Sequence, residues 1–262
     1  MTSIAANLEW MFTEVGDDTA DRIRAAAAHG LTAVEIWGWR DKNLESIESA
    51  LQETGVRLLS LIVEPKLDIT DPATRERYSD GVRESLTVAR RLDARFLVTV
   101  AGEEIFGASR EAQHAAVVSA LTTAASILDG SNVTLLLENL NTKVDHVGTF
   151  LHSTREGLDI VREVDSSHLK FLLDAYHALV MEEDLETVIG DDIDLVAHVQ
   201  VADAPGRHEP GTGGLDWAHE LGTLRRLGYR GYFGMEYTPT VDTIASLEPI
   251  ERIVAEVDRH AG

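Results

Sequence analysis

Short runs of apolar and β-branched residues alternate along the chain with longer segments whose apolar positions recur at helical spacing. Residues 3–8, 33–37, 57–63, 96–100, 133–137, 169–173, 195–201 and 232–235 read as strands. Residues 19–28, 44–54, 73–92, 111–128, 153–164, 183–189, 217–227 and 243–259 read as amphipathic helices, so each strand is followed by one. Strands that are apolar almost throughout indicate a parallel sheet with helices over its outer faces. Eight such units in 262 residues predict a single-domain α/β protein of the (β/α)8, or TIM-barrel, class, with a doubly wound open sheet as the alternative. No Pro- or Ser-rich linker, composition shift or low-complexity segment divides the chain, which puts one domain over 1–262.

With 44% of its residues hydrophobic the chain can bury a large core without disulfides, and cysteine is absent. Residues 1–10 lack the basic region and apolar run of a signal peptide, and no stretch approaches a membrane span. A cytoplasmic protein with no membrane partner is therefore expected. Asp and Glu number 45 against 23 Lys and Arg, a formal charge of −22. A field of that sign repels phosphate backbones, which disfavours nucleic acid and leaves a small-molecule substrate as the expected partner. It also repels anionic substrates, so a carboxylate or phosphate ligand needs a local group of Arg, Lys or His.

In such a barrel the chemistry collects where the strands run out at their C-terminal ends. In the second half of the chain those ends are polar. The fifth strand runs into Glu138-Asn139-Leu140-Asn141 and the sixth into Asp174-Ala175-Tyr176-His177. The seventh carries His198-Val199-Gln200 and the eighth ends Gly234-Met235-Glu236. Glu138, Asp174, Gln200 and Glu236 thus recur about one βα unit apart and can converge on one mouth. Their oxygen atoms favour one hard divalent cation, Mg²⁺ or Mn²⁺, ahead of Co²⁺ or Zn²⁺.

Each residue also has a plainer reading. Asp174 alone is as well explained as a helix N-cap, although three acids and an amide at four consecutive strand ends are hard to desolvate without a cation. His177 can pack as a neutral imidazole or bind substrate oxygens, and His198, two residues before Gln200, shares its face at a deeper level. Arg207, His208 and Glu209 form either a solvated turn or the anchor for an anionic substrate group. Trp10, Phe12, Trp37 and Trp39 pack or wall the pocket. Gly211-Thr212-Gly213-Gly214 lacks the Lys and spacing of a phosphate loop, and His219-Glu220 lacks the second His of a zinc-protease helix.

At these positions the chain resembles the hydroxypyruvate isomerase family, part of a larger group of xylose-isomerase-like barrels that includes ketose 3-epimerases and, more distantly, endonuclease IV. The matching motifs are Glu138-Asn-Leu-Asn-Thr142, Asp145-His146, Asp174-Ala-Tyr-His177, His198-Val-Gln-Val-Ala-Asp203, Gly206-Arg-His-Glu-Pro-Gly-Thr-Gly213 and Gly234-Met-Glu-Tyr237. The opening Ala6-Asn7-Leu8, followed by Met11-Phe12, is also similar and places Asn7 at the substrate. The resemblance implies that Glu138, Asp174, Gln200 and Glu236 hold a metal, that Glu138 and Glu236 act as acid and base, and that His177 and Arg207 contact substrate. Members of the family often form dimers or tetramers, so a homo-oligomer is compatible with the resemblance, although the sequence itself leaves oligomeric state open. Gln200, where the ketose epimerases carry His, puts the chain nearer the isomerase branch. Residues 61–68 lack the Gly-Asp-Trp loop usual in hydroxypyruvate isomerases, and Val147 replaces the usual Pro after Asp145-His146, which leaves the substrate open.

The expected activity is metal-dependent isomerisation of a small hydroxy-carbonyl compound or sugar acid through an enediolate. Ketose 3-epimerisation and base-initiated elimination use the same residues, and a non-catalytic sugar-binding barrel is a further alternative. A nuclease of the endonuclease IV type needs a His-rich zinc cluster and a basic face, against which the charge of −22 argues.

Overall fold

The computed structural model describes residues 3–261; Met1, Thr2 and Gly262, part of the domain expected over 1–262, lie outside the described residues. Eight parallel strands pair in sequence order into a closed barrel. They are β1 (Ile4–Asn7), β2 (Ala33–Glu35), β3 (Arg57–Ile62), β4 (Phe96–Val100), β5 (Thr134–Glu138), β6 (Leu169–Asp174), β7 (Val196–Val201) and β8 (Phe233–Met235). Pairing of β1 with β8, from Ile4 opposite Phe233 to Ala6 opposite Met235, closes the sheet and excludes the open doubly wound alternative.

Around it run α1 (Thr19–His29), α2 (Leu44–Thr54), α3 (Arg75–Arg91), α4 (Arg110–Ile127), α5 (Thr154–Val164), α6 (Ala175–Val180), α7 (Leu185–Ile189), α8 (Trp217–Leu227) and α9 (Thr243–Ala261). The loops feeding these helices end in residues whose short polar side chains satisfy free N–H groups of the first turn. Asp18, Asn43, Ser109, Ser153, Asp184 and Asp216 each accept such a bond at the start of α1, α2, α4, α5, α7 and α8. In α5, Leu158 and Val161 are buried with Gly157 and Ile160, which fixes the inward face. A Cβ at Gly157 would overlap the Phe171 ring, so only glycine lets α5 lie directly on β6.

The sequence pattern placed every strand, with differences at the ends. β2 stops at Glu35 rather than residue 37, because Trp37 leaves the sheet: its backbone N–H is taken by the Glu9 carboxylate at 2.9 Å. Only α7 was expected between β6 and β7. The six-residue α6 precedes it, too short to show a helical period and started by Asp174, whose side chain accepts from the His177 N–H.

Two apolar clusters result. The larger lies between sheet and helices, and a smaller one fills the barrel with Ala5, Ala33, Leu59, Phe96, Val98, Leu136 and Leu172. Alanine on β1 and β2 leaves room inside for three buried polar side chains, Glu35, Ser60 and His198. Among the described residues no helix is long and apolar enough to cross a membrane.

Candidate active site

A cavity of about 550 Å³ opens at the C-terminal ends of the strands. Of the nine residues expected at the site, Asn7, Trp37, Glu138, His177, Gln200, Arg207 and Glu236 line it. Asp174 stands against two of them, and Glu209 lies outside. Register explains the convergence. Asp174 is level with Gln200 across β6 and β7, and Gln200 is level with Gly234, two residues before Glu236.

Glu236, directly after β8, is held on all sides. Its Oε1 accepts from Trp37 Nε1 at 2.7 Å, Asn7 Nδ2 at 3.0 Å and Gln200 Nε2 at 3.2 Å. Its Oε2 accepts from the Arg207 guanidinium at 2.6 Å. Burial raises its pKa to about 7 even though Arg207 and Trp37 act in the opposite direction, because Asp174 and Glu35 add like charge. Trp37 is thus more than an apolar wall: it orients the carboxylate. Trp10 packs edge-on to Trp37 at 4.9 Å, behind the cavity lining, whereas Phe12 and Trp39 are buried in the main core.

Asp174 both caps α6 and faces the site. Its Oδ1 accepts from the His177 N–H at 3.1 Å, and its Oδ2 lies 3.3 Å from Arg207 and 3.4 Å from His177 Nε2. The His177 tautomer follows from its neighbour. Asn141 Oδ1 accepts the Val144 and Asp145 N–H groups at 2.9 Å each, so its amide nitrogen faces His177 Nδ1 at 2.7 Å. Nδ1 therefore accepts and Nε2 carries the proton. Burial, with Arg207 and His146 adding to it, holds the imidazole well below its ordinary pKa, so it is neutral, and its buried Nε2–H has no hydrogen-bond partner.

Glu138, half-buried at the end of β5, has its pKa pushed well up by desolvation and then by Glu236 and Asp174, with Arg207 and Lys66 opposing. Acid thus crowds this mouth. Arg207 counters it from a left-handed backbone conformation in the loop after β7, its guanidinium between the Trp10 and Tyr176 rings. It bridges Asp174 and Glu236. Glu138, Asp174 and His177 place possible ligand atoms within 4.8 Å of one another, and with His177 Nε2 protonated the two carboxylates are the ones able to hold a metal ion. The buried Gln200 Oε1, which no hydrogen bond satisfies, is a further oxygen donor at the same cavity. Carboxylates plus an orphaned amide oxygen suit a hard divalent cation.

Residues 23–257 match the family described as xylose isomerase-like TIM barrel. The chain belongs to this family. The chain is 30% identical to the hydroxypyruvate isomerase of Escherichia coli over 263 residues, covering 94% of this chain and 97% of that one. It is 31% identical to the 2-oxo-tetronate isomerase of Cupriavidus necator, covering 94% and 96%. A solved structure described as AP endonuclease, family 2, from Brucella melitensis superposes with a TM-score of 0.88 at 29% identity, covering 96% of this chain and 99% of that one.

Within this xylose isomerase-like barrel, two readings of the loop after β7 change. Glu209 does not reach the cavity: its carboxylate takes the Thr240 N–H at 2.9 Å and the Thr240 hydroxyl at 2.5 Å, tying this loop to the one after β8. His208 likewise bonds the Thr238 carbonyl at 2.7 Å. Arg207 has its charge taken up by Asp174 and Glu236, so it is no free anchor for an anion. The glycine-rich segment wraps a carboxylate instead of a phosphate, since Asp203 Oδ2 accepts the Gly211 and Gly213 N–H groups at 2.7 and 3.0 Å.

His198 is buried inside the barrel, deeper than Gln200. Its Nε2 stands 2.8 Å from Glu35 Oε1, an atom that also accepts from the Ser60 hydroxyl at 2.7 Å. The imidazole is out of line for a hydrogen bond despite that distance, so the buried His198 Nε2 and Glu35 Oε2 are close-packed without being satisfied. Sequence reasoning passed over Glu35, although a Glu inside the apolar run 33–37 was a signal. It also passed over Lys66, which lines the cavity and lies over the Trp37 ring.

Proposed function

We propose that the chain is a divalent-metal-dependent isomerase that moves a carbonyl along a small hydroxy-oxo acid. What carries this is a pair of carboxyls, Glu138 and Glu236, at one cavity with both pKa values raised, beside the unsatisfied Gln200 Oε1 and His177 Nε2–H. The names of the relatives point the same way, since hydroxypyruvate and 2-oxo-tetronate are both 2-oxo acids.

Glu138, Asp174, Gln200 and Glu236 would hold the cation. When bound, it supplies positive charge that makes a C–H beside a carbonyl more acidic. Glu236 has Oε1 fixed by Asn7, Trp37 and Gln200 and Oε2 on the Arg207 guanidinium, at the lining of the cavity. Beside the bound cation this carboxylate would stay ionised, the form that takes a proton. Glu138 serves as its counterpart, so that one Glu removes the proton and the other delivers it to the neighbouring carbon. The His177 Nε2–H donates to a substrate oxygen, in place of the partner it otherwise lacks. Trp37 and the aliphatic lining exclude water around the enediolate formed in between.

The acid end of the substrate meets Lys66. Arg207 is paired, and His146 and His177 are held neutral by burial, so Lys66 is the free cation of this cavity among the described residues. It makes no ion pair with a carboxylate, and its ammonium sits 5.6 Å from the Trp37 ring centre. A carboxylate there lies one aromatic ring away from the acid–base Glu236. In a chain of charge −22, such a local cation is what an anionic substrate requires.

The test is metal analysis followed by ¹H-NMR in D₂O with hydroxypyruvate, tartronate semialdehyde and 2-oxo-tetronates, with and without Mn²⁺ or Mg²⁺. Metal-dependent loss of one C–H signal and growth of an isomer is expected. Return of the proton to the opposite face of the same carbon, with inversion, would make the protein an epimerase, and exchange followed by loss of water a lyase. A protein that binds no divalent metal would overturn the assignment.

A further inference from the structure

A second cavity, of about 440 Å³, opens at the opposite end of the barrel, where the strands begin. Arg57 at the head of β3, Arg95 just before β4, Lys170 in β6 and Arg230 just before β8 line it, together with two carboxylates, Asp93 and Asp194. The chain as a whole has 45 acidic residues against 23 basic ones, and this opening reverses the ratio.

None of the four cations pairs with a carboxylate among the described residues. Arg57 lies over the Tyr232 ring and donates to its hydroxyl. Lys170 Nζ donates to the Asp194 carbonyl at 2.9 Å, and Arg230 donates to the Arg225 and Tyr229 carbonyls at 2.7 and 3.0 Å. Arg95 stacks on Phe96. These partners orient the side chains without cancelling their charge. Arg24, Arg83, Arg91 and Arg162 each hold a carboxylate at 3.0 Å or less, whereas Arg75, Arg77, Arg90, Arg252 and Arg259 are exposed and hold none among the described residues; what sets the basal four apart is that they line one cavity.

We propose that this basal cavity binds a small phosphate-bearing anion, at a site separate from the catalytic mouth. Four cations arriving from different strand heads match an oxyanion that accepts hydrogen bonds in several directions and carries about two charges at neutral pH. A single carboxylate would meet only part of them. The net field of the chain repels such a ligand at long range, so binding depends on these residues and weakens with salt.

Isothermal titration of the full chain at low ionic strength, with inorganic phosphate and with glycerol 3-phosphate, tests this. One saturable site is expected, weakened at least about tenfold in Arg95→Gln/Arg230→Gln, as loss of two charge-assisted contacts implies. Lys66→Met, which removes a cation at the far mouth, should weaken it less than about twofold, because that charge lies many Debye-screened ångströms away. Lys170→Gln gives the same direction of change should the double variant melt early. Tighter binding of the ester than of the free ion marks a metabolite site, and equal affinities mark a site for the ion. Heats that never saturate, or a loss shared equally by Lys66→Met, would overturn the proposal.

Discussion

Replacing Glu236 with Gln should make the metal-free protein more stable at pH 8 while removing its turnover. Glu236 is 4% exposed, and its carboxyl moves from an ordinary 4.5 to about 7 on folding. A raised carboxyl releases its proton near 4.5 when unfolded and only near 7 when folded. Stability from this group is therefore greatest at low pH, declines as pH climbs through that window, and reaches its minimum above about 7. At 1.36 kcal/mol per pKa unit the full cost is about 3 kcal/mol. Gln keeps an oxygen for Asn7 and Trp37 and removes the charge. It also removes the 2.6 Å partner of Arg207, which retains Asp174 at 3.3 Å, so the net gain is about 1–3 kcal/mol. For a chain of this size that is roughly 3–10 °C in melting midpoint. The assay is thermal and urea unfolding of chelated wild type and variant at pH 5.5 and 8, repeated with Mn²⁺. The gap should widen from the lower to the higher pH and reverse with metal, which stabilises the wild type more. A metal-free variant that melts at or below wild type at pH 8 would refute the account of this carboxyl.

Three further outcomes follow from other contacts. Lys66→Met should lower the kcat/KM ratio for a 2-oxo acid over the matching neutral ketose by about tenfold or more, chiefly through KM, with Lys66→Arg retaining part of it; an unchanged ratio would remove Lys66 from the substrate. Asp203→Ala frees four backbone N–H groups bonded at 2.7 to 3.3 Å, and should cost about 2–4 kcal/mol in urea unfolding and raise KM by loosening the loop that carries Arg207. Wild-type stability would show that water replaces those bonds. Glu35→Ala should cost about 2–3 kcal/mol by leaving the buried Ser60 hydroxyl without its acceptor and opening a void inside the barrel, and Glu35→Gln distinctly less, as read from unfolding midpoints.

The eight-unit alternation of apolar runs and amphipathic stretches determined the eight strands and their parallel α/β arrangement, because a parallel strand buried on both faces leaves a local mark that needs no knowledge of its partners; closure into a barrel was decided by the pairing of β1 with β8. The strand-end position of Glu138, Asp174, Gln200 and Glu236 was legible for the same reason: a polar residue closing an apolar run is conspicuous in one dimension. The short helix α6 escaped because six residues hold less than two turns of period. What each polar group faces is a different matter, since it depends on contacts between distant parts of the chain. Glu209 sits two residues after Arg207, yet one bonds Thr240 and the other enters the acid cluster. Lys66 becomes the free cation only because Arg207 is consumed by acids from β6 and β8. The four cations of the basal cavity are scattered from 57 to 230 along the sequence, and only closure of the barrel gathers them. Local pattern specifies elements, whereas charge pairing and desolvation, which decide chemistry, act through space and were decided by the tertiary structure.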